Sequence, residues 1–281
     1  MKKPQWITIC IALFLFSLLF FFGKIVPTKK AISPEAVSLQ SEKEFSFDSI
    51  LTMAKKQLKP EQVIRLNTLE NSISRGDVKD QQIKIYHQLA NFWSDSVPFI
   101  EIYAWYLAQA ARLENSGKSL TFAARLFLDN LQSDEIQERR RWKAMQAKDL
   151  FERSLKINPG NDSSKIGLGA CYLFGNISAT PMEGILKIRE VVEKDTNNAY
   201  GQMMLAKGSL MSGQYDKAIN RLQTVNRLQA NNIEAILMLA DAYEKINDKK
   251  NAINWYQKSL QYTKREDVKA EIRKKIEQLS K

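Results

Sequence analysis

The chain has one histidine, His87, and two cysteines, Cys10 and Cys171, so the side chains that most often carry proton transfer, nucleophilic attack or metal ligation are scarce. General acid–base catalysis needs a titratable group held against positioned partners. His87 instead sits beside an apolar stripe of helical spacing, Ile83, Tyr86, Ala90 and Trp93, with no serine or cysteine motif next to it. Cys171, between Ala170 and Tyr172, reads as a small buried hydrophobe, and with Cys10 in an apolar run it has no second thiol for a disulfide. There is no CxxC pair, HExxH, glycine-rich phosphate loop or GxSxG elbow. The carboxylates fall at surface helical spacing among lysines, which makes solvated faces. These residue types predict a chain that is not an enzyme and uses no metal or cofactor.

Anion binding is the next chemistry to consider. Arg139-Arg140-Arg141 with Lys143 could meet nucleic acid or anionic lipid. Asp134, Glu135 and Glu138 precede the run, so pairing along the helix is expected to absorb much of its charge. The C-terminal cations Lys264, Arg265, Lys269, Arg273, Lys274 and Lys275 are interleaved with acidic residues in the same way. The 281 residues carry a formal charge of +11, but residues 1–30 hold five basic and no acidic residues, which leaves the remainder at only +6. Nucleic acid is therefore not an expected partner.

The first 30 residues also concentrate hydrophobicity. Residues 4–23 hold no charge and 7–22 are almost wholly apolar. About 20 such residues span roughly 30 Å as a helix, the thickness of a bilayer's hydrocarbon core. We read a short tail over 1–6, a transmembrane signal anchor over 7–23 with Trp6 at the interface, and a Pro- and Ser-containing tether over 24–45. A cleaved signal peptide is the competing reading. The length of the run, and its end in Phe20-Phe21-Phe22-Gly23-Lys24 without a small-x-small site, argue against cleavage. Lysines are nearly balanced across the span, and only six residues precede it, which favours export of the body in a bacterial-type envelope. The expected location is single-pass in the inner (cytoplasmic) membrane with the body on the periplasmic side.

Beyond the tether the apolar spacing is helical and no alternating β-branched run occurs, so the fold class is all-α. Helices are expected near 47–57, 61–74, 78–93, 98–114, 118–131 and 135–157. Displacing residues 199–232 by 34 superposes Leu205-Ala206 on Leu239-Ala240, Ala218-Ile219-Asn220 on Ala252-Ile253-Asn254, and Gln223 on Gln257. Gly213 falls on Asn247, residue types that tolerate a left-handed turn. Small residues at Ala206, Ala218, Ala240 and Ala252 let the two helices of a hairpin approach. Leu205, Leu222, Leu239 and Tyr256 then fill the space between hairpins, which must stack to bury their faces. Upstream, Leu168-Gly169 and Tyr172 fit a further first helix, with a turn before Pro181 about three residues longer than the later ones. Thr180-Pro181-Met182-Glu183 reads as a capping box.

These residues resemble the tetratricopeptide repeat: Leu205-Ala206 and Leu239-Ala240 match its Leu-Gly pair, Ala218 and Ala252 its helix B alanine, and Tyr243 its helix A tyrosine, from which Ser209 departs. The resemblance covers residues 140–264 and implies a right-handed α-α solenoid of helical hairpins. Repeats are assigned to 135–264 and a capping helix to 265–281, where Val268, Ile272, Ile276 and Leu279 form one stripe. Residues 46–134 are read as an N-terminal helical region of degenerate hairpins, with 118–131 and 135–157 as a degenerate first repeat that uses Ala123-Ala124 for close packing. The aromatic stretch 92–106 reads as core, with a peptide-docking patch as the minority reading.

In this family helix A lines a concave groove, which implies the positions Ser163, Ile166, Ala170 and Leu173, then Tyr200, Met203, Lys207 and Leu210, then Glu234, Leu237, Asp241 and Glu244. Ile166 and Ala170 stand where the Lys and Asn of the carboxylate clamp for acidic tails would be, so that mode is not expected. Met203 and Met204 either adapt to a hydrophobic segment or pack against the next helix. The resemblance implies a non-catalytic membrane-anchored scaffold or adaptor for protein or peptide partners, in envelope complex assembly, secretion or quality control. The alternatives are a structural subunit whose groove is filled by its own N-terminal region, or an accessory subunit of a membrane enzyme or transporter.

Overall fold

The structure is a computed structural model that describes residues 45–75, 78–97, 99–129, 131–177 and 181–281. The expected span 7–23, the tether over 24–45 except its last residue, and the cap residue Thr180 lie outside the described residues. Among those described, no helix is long and apolar enough to cross a membrane. They form thirteen helices and no strand: α1 (Phe47–Lys55), α2 (Pro60–Arg75), α3 (Lys79–Ser96), α4 (Ile100–Glu114), α5 (Gly117–Asp129), α6 (Gln137–Ile157), α7 (Asp162–Phe174), α8 (Pro181–Lys194), α9 (Ala199–Met211), α10 (Tyr215–Leu228), α11 (Ile233–Lys245), α12 (Lys249–Tyr262) and α13 (Glu266–Ser280). From α3 onward they pair as antiparallel hairpins α3/α4, α5/α6, α7/α8, α9/α10 and α11/α12, each packed on the next. The division expected at 134/135 falls inside the α5–α6 connection, so one hairpin contains both sides of it.

The punctuation is local chemistry. Asn161, Asn198 and Asn232 cap α7, α9 and α11, their side-chain oxygens accepting from the N–H groups of Ser164, Gly201 and Ala235 at 3.1, 2.9 and 3.0 Å. Among the described residues the turns of the last three hairpins each carry one left-handed residue: Asn176 (φ 52°), Gly213 (φ 70°) and Asn247 (φ 60°). The α7–α8 turn spans 175–180 against 212–214 for α9–α10, the three-residue excess expected from the sequence. α3 runs to Ser96, nearly a turn past its expected end, because Val97 N–H still reaches Trp93 O at 3.3 Å.

Inside each hairpin the packing is set by small residues. Ala206, Ala218, Ala240 and Ala252 are fully buried. In α7/α8 the same places are held by Gly169 and Gly184, and the approach is closer still: a Cβ on Gly184 would lie 2.3 Å from Gly169 O, and one on Gly169 would lie 2.6 Å from Gly184 O. Both obstacles are backbone atoms, which cannot rotate away. Phe92 and Trp93 are fully buried and Tyr106 is buried, so the aromatic stretch is core. α1 joins that core through Phe47, which stacks on Trp105 of α4 at 4.5 Å, while Trp142 of α6 meets Trp105 at 5.9 Å and Phe127 of α5 edge-on at 5.5 Å. At the other end Val268, Ile276 and Leu279 of α13 pack with buried Ile272 against Ala240, Ala252 and Tyr256.

One charged cluster is buried. Lys143 of α6 is 5% exposed and its Nζ sits 2.7 Å from Glu101 Oε1 of α4 and 2.9 Å from Asp134 Oδ2. Arg139 Nε adds a contact to Asp134 Oδ2 at 2.7 Å, Ile136 N–H donates to Asp134 Oδ1 at 3.1 Å, and the Arg140 guanidinium donates to the Asp134 carbonyl. The pairing of the basic run is therefore tertiary, because Asp134 precedes the helix and Glu101 comes from another hairpin. Burial works to raise the Asp134 carboxyl, but hydrogen bonds from Arg139 and Lys143 outweigh it and hold the group down at about 2.

Two outcomes follow from this packing. Gly184→Ala should lower stability by about 1–3 kcal/mol by overpacking, despite gaining about 1 kcal/mol of helix propensity, as read by urea denaturation. Asp134→Ala should cost about 3 kcal/mol or more, since it strands Lys143 against a single carboxylate. Because the Asp134 carboxyl is depressed in the folded chain, its contribution of about 2 kcal/mol is present above the unfolded value near 4 and is lost as pH falls through about 2. Acid unfolding of the wild type, compared with the variant, measures it.

Candidate functional site

The first helices of successive hairpins, α5, α7 and α9, contact one another along the inner side of the stack. Between them lies a cavity of about 340 Å³ lined by Arg125, Leu128 and Asp129 of α5, Gln132, Phe174 of α7, Ala199, Tyr200, Met203, Met204 and Lys207 of α9, Gln229, Asn232, and Glu234 of α11. No residue of α1–α4 lines it, so the N-terminal helices do not fill this cavity.

Its lining mixes apolar side chains, Leu128, Phe174, Met203 and Met204, with a larger share of charged and amide ones. Met203 and Met204 are largely buried yet both reach the cavity, so packing accounts for most of their surface and the groove for the remainder. Lys207 Nζ pairs with Glu234 Oε1 at 2.7 Å. The Arg125 guanidinium lies 5.0 Å from the centre of the Tyr200 ring, a cation–π contact. Partial desolvation, aided by Glu234, raises the Asp129 carboxyl, and Arg125 and Lys207 act in the opposite direction. The Tyr200 hydroxyl is buried and has no hydrogen-bond partner among the described residues. Burial also pushes the ionisation of that hydroxyl upward.

The ten groove positions carried over from the repeat divide three ways. Tyr200, Met203, Lys207 and Glu234 share this cavity. Ile166 and Ala170 are fully buried, while Leu173 and Leu210 pack half-buried against the main core, Leu173 beside Gly208. Leu237 packs into the cluster shared with the capping helix. Asp241 accepts from the Tyr256 hydroxyl and faces Lys275 of α13 at 3.6 Å, and Glu244 takes the same two partners at 2.7 and 2.9 Å. These two carboxylates of the last hairpin are thus engaged by Lys275 of the chain's own cap.

The repeat pattern is degenerate over α5 and α6 and implies no groove positions there, so Arg125, Leu128 and Asp129 reach the cavity only in the structure. Setting Ala124 on Gly169 as the close-packing residue puts Arg125 on Ala170 and Leu128 on Leu173, so Ala123-Ala124 held the signal. Elsewhere His87 Nε2 meets Glu114 Oε1 at 2.7 Å in the open, and the Cys171 thiol is raised by complete burial. Among the described residues no group of three or more His, Cys, Asp or Glu side chains could hold a metal ion.

A family model described as Regulator of microtubule dynamics protein 1-3 matches residues 200–281, and no curated protein matches the chain. Among solved structures, MamA from residue 41 to its end from Desulfovibrio magneticus RS-1 is 20% identical with a TM-score of 0.43, covering 66% of this chain and 96% of that one. YrrB, described as a TPR protein with an unusual peptide-binding site, is 16% identical with a TM-score of 0.41, covering 73% and 97%. The anaphase-promoting-complex hetero-tetramer Cut9–Hcn1 is 14% identical with a TM-score of 0.52, covering 82% of this chain and 41% of that one. With the 34-residue hairpin period, the small-residue contacts and this shared architecture in place, the chain has the fold of the tetratricopeptide-repeat superfamily.

Proposed function

We propose that this chain is a non-catalytic scaffold that holds a segment of another protein in its concave cavity, while its N-terminal span keeps it at a membrane. One observation carries the first half: Tyr200, whose buried hydroxyl has no partner among the described residues, lines a cavity that mixes apolar with charged and amide side chains. Leaving such a hydroxyl unbonded costs about 1–3 kcal/mol, which a carbonyl of a bound segment would recover once the ring turns toward the cavity. Met203 and Met204 supply adaptable apolar contact, and the Lys207–Glu234 pair and Arg125 flank it. Since Ile166 and Ala170 lie in the core and Asp241 is engaged by Lys275 of α13, the binding stretch lies on the faces of α5, α9 and the start of α11. The stack is read as right-handed, as the repeat implies.

The second half rests on the charge-free stretch 4–23, with the body exported to the periplasmic side of a bacterial-type inner membrane. Anchoring raises the local concentration of the groove near membrane-bound partners. Envelope assembly, secretion and quality control all use such a device, and the captured partner decides among them.

Tyr200→Phe tests the groove directly. It should stabilise the isolated chain by about 1 kcal/mol, because a buried unbonded hydroxyl is removed, and weaken partner capture at the same time. A photo-crosslinking residue at Gln132, on the cavity wall, should trap a protein in cells that the same residue at Met182 on α8 does not. Equal trapping at both sites, or none at Gln132, sinks the groove reading. For the anchor, full-length chain should remain in the membrane fraction after a high-salt wash and deletion of residues 1–30 should release it. Recovery of the full-length chain in the soluble fraction would remove that half.

A further inference from the structure

The second helices of the hairpins, α6, α8, α10 and α12, form the outer row, and their charges change character along it. On α6 and α8 the cations pair with carboxylates four residues away: Arg153 with Asp149 and Lys148 with Glu152 at 2.9 Å, Arg189 with Glu193 at 2.9 Å, Lys194 with Glu190 at 3.0 Å. On α10 and α12 that pattern stops. These helices carry Lys217, Arg221, Arg227, Lys249, Lys250 and Lys258 against a single acidic residue, Asp216.

None of the six is ion-paired among the described residues, and four are held by neutral amides. Lys217 Nζ donates to Gln214 Oε1 at 2.6 Å, Arg221 to Gln202 Oε1 at 3.0 Å, Arg227 to Asn197 Oδ1 at 2.9 Å, and Lys258 Nζ to Asn226 Oδ1 at 3.0 Å. The last bond ties α12 to α10, so the two helices present one surface. Asp248, just before α12, is engaged in capping Asn251 at 3.1 Å through the backbone and 2.7 Å through the side chain. An amide oxygen orients a cation without neutralising it. The excess charge of the chain beyond residue 30 lies within residues 200–281, which hold 15 basic and nine acidic residues against 22 and 22 in 31–199, and α10 and α12 with six basic and one acidic residue account for most of it.

We infer that the outer face of α10 and α12 is a second docking surface, separate from the groove, that takes an acidic, extended segment of a partner protein. Charge complementarity selects the occupant, and guanidiniums held in place by amides suit carboxylates, which they bind with two parallel bonds. A flexible acidic chain also follows a row of helices that curves. A membrane surface fits less well, because no large hydrophobic side chain of α10 or α12 is exposed to enter the lipid. A single-stranded nucleic acid would expect exposed aromatic platforms, and no aromatic side chain of α10 or α12 is exposed.

The test is fluorescence anisotropy of a labelled Glu/Ser peptide against the full chain, with a Lys/Ser peptide as its opposite. The Glu/Ser peptide should bind, lose most of its affinity as salt rises from about 50 to 300 mM, and bind about tenfold more weakly to the Arg221→Gln/Arg227→Gln/Lys258→Gln variant. Lys249→Gln/Lys250→Gln, whose two side chains are exposed and unbonded, should weaken it too while leaving the thermal melt unchanged, which separates charge loss from misfolding. Tyr200→Phe should leave this binding intact. Equal binding of both peptides, undiminished binding by the charge variants, or loss of binding in Tyr200→Phe overturns the inference. So does a wild-type chain that ignores the Glu/Ser peptide yet binds phosphatidylserine vesicles or duplex DNA through the same cations.

Discussion

The approach of two backbones inside each hairpin is the constraint on which the remaining structure rests. At Gly169 and Gly184 a single methyl group on either helix would collide with a carbonyl oxygen of the other. In the following hairpins alanines occupy these places at full burial. A short distance within hairpins leaves a wider one between them, and that wider space is where Leu205, Leu222, Leu239 and Tyr256 pack. Small residues therefore decide where large ones can go, and the alternation propagates along the stack as a nearest-neighbour effect.

The same geometry separates an inner from an outer face. First helices face inward and enclose the cavity around Tyr200, with α5 supplying Arg125 and Asp129 across from Lys207 and Glu234. The ends of the stack are closed by different means. α1 is held by stacked rings, Phe47 on Trp105 with Trp142 beside them, and α13 by an apolar stripe plus Lys275 reaching Glu244. Closing the far end in this way engages Asp241 and Glu244 of the last hairpin, beyond Glu234, the last residue that lines the cavity.

Charge follows the same division. Where Lys143 is buried, two carboxylates and a neighbouring arginine surround it, as the desolvation cost demands. On the outer row of α10 and α12 the cations stay at least partly in solvent without a counter-charge, and amides orient four of them, including Arg221, whose ionisation partial burial lowers. The two solutions lie in one chain, and only the second leaves a field that extends into solvent.

Much of the architecture was legible without coordinates. Helical spacing, the 34-residue period, the left-handed residues Gly213 and Asn247 and the alanines of the later hairpins are all local or repeated features, and local chemistry determines turns and caps wherever it occurs. The longer α7–α8 turn could be counted from the residues before Pro181 for the same reason. The partners of side chains that meet across hairpins were not legible. Nothing in the order of residues says that Glu101 reaches Lys143, that Asp241 is taken by the capping helix, or that Ile166 and Ala170 turn into the core while Arg125 reaches the cavity. Those choices depend on the rotation of each helix about its axis and on the stacking offset between hairpins. Both are set by the summed packing of distant residues, so only the tertiary structure could decide them.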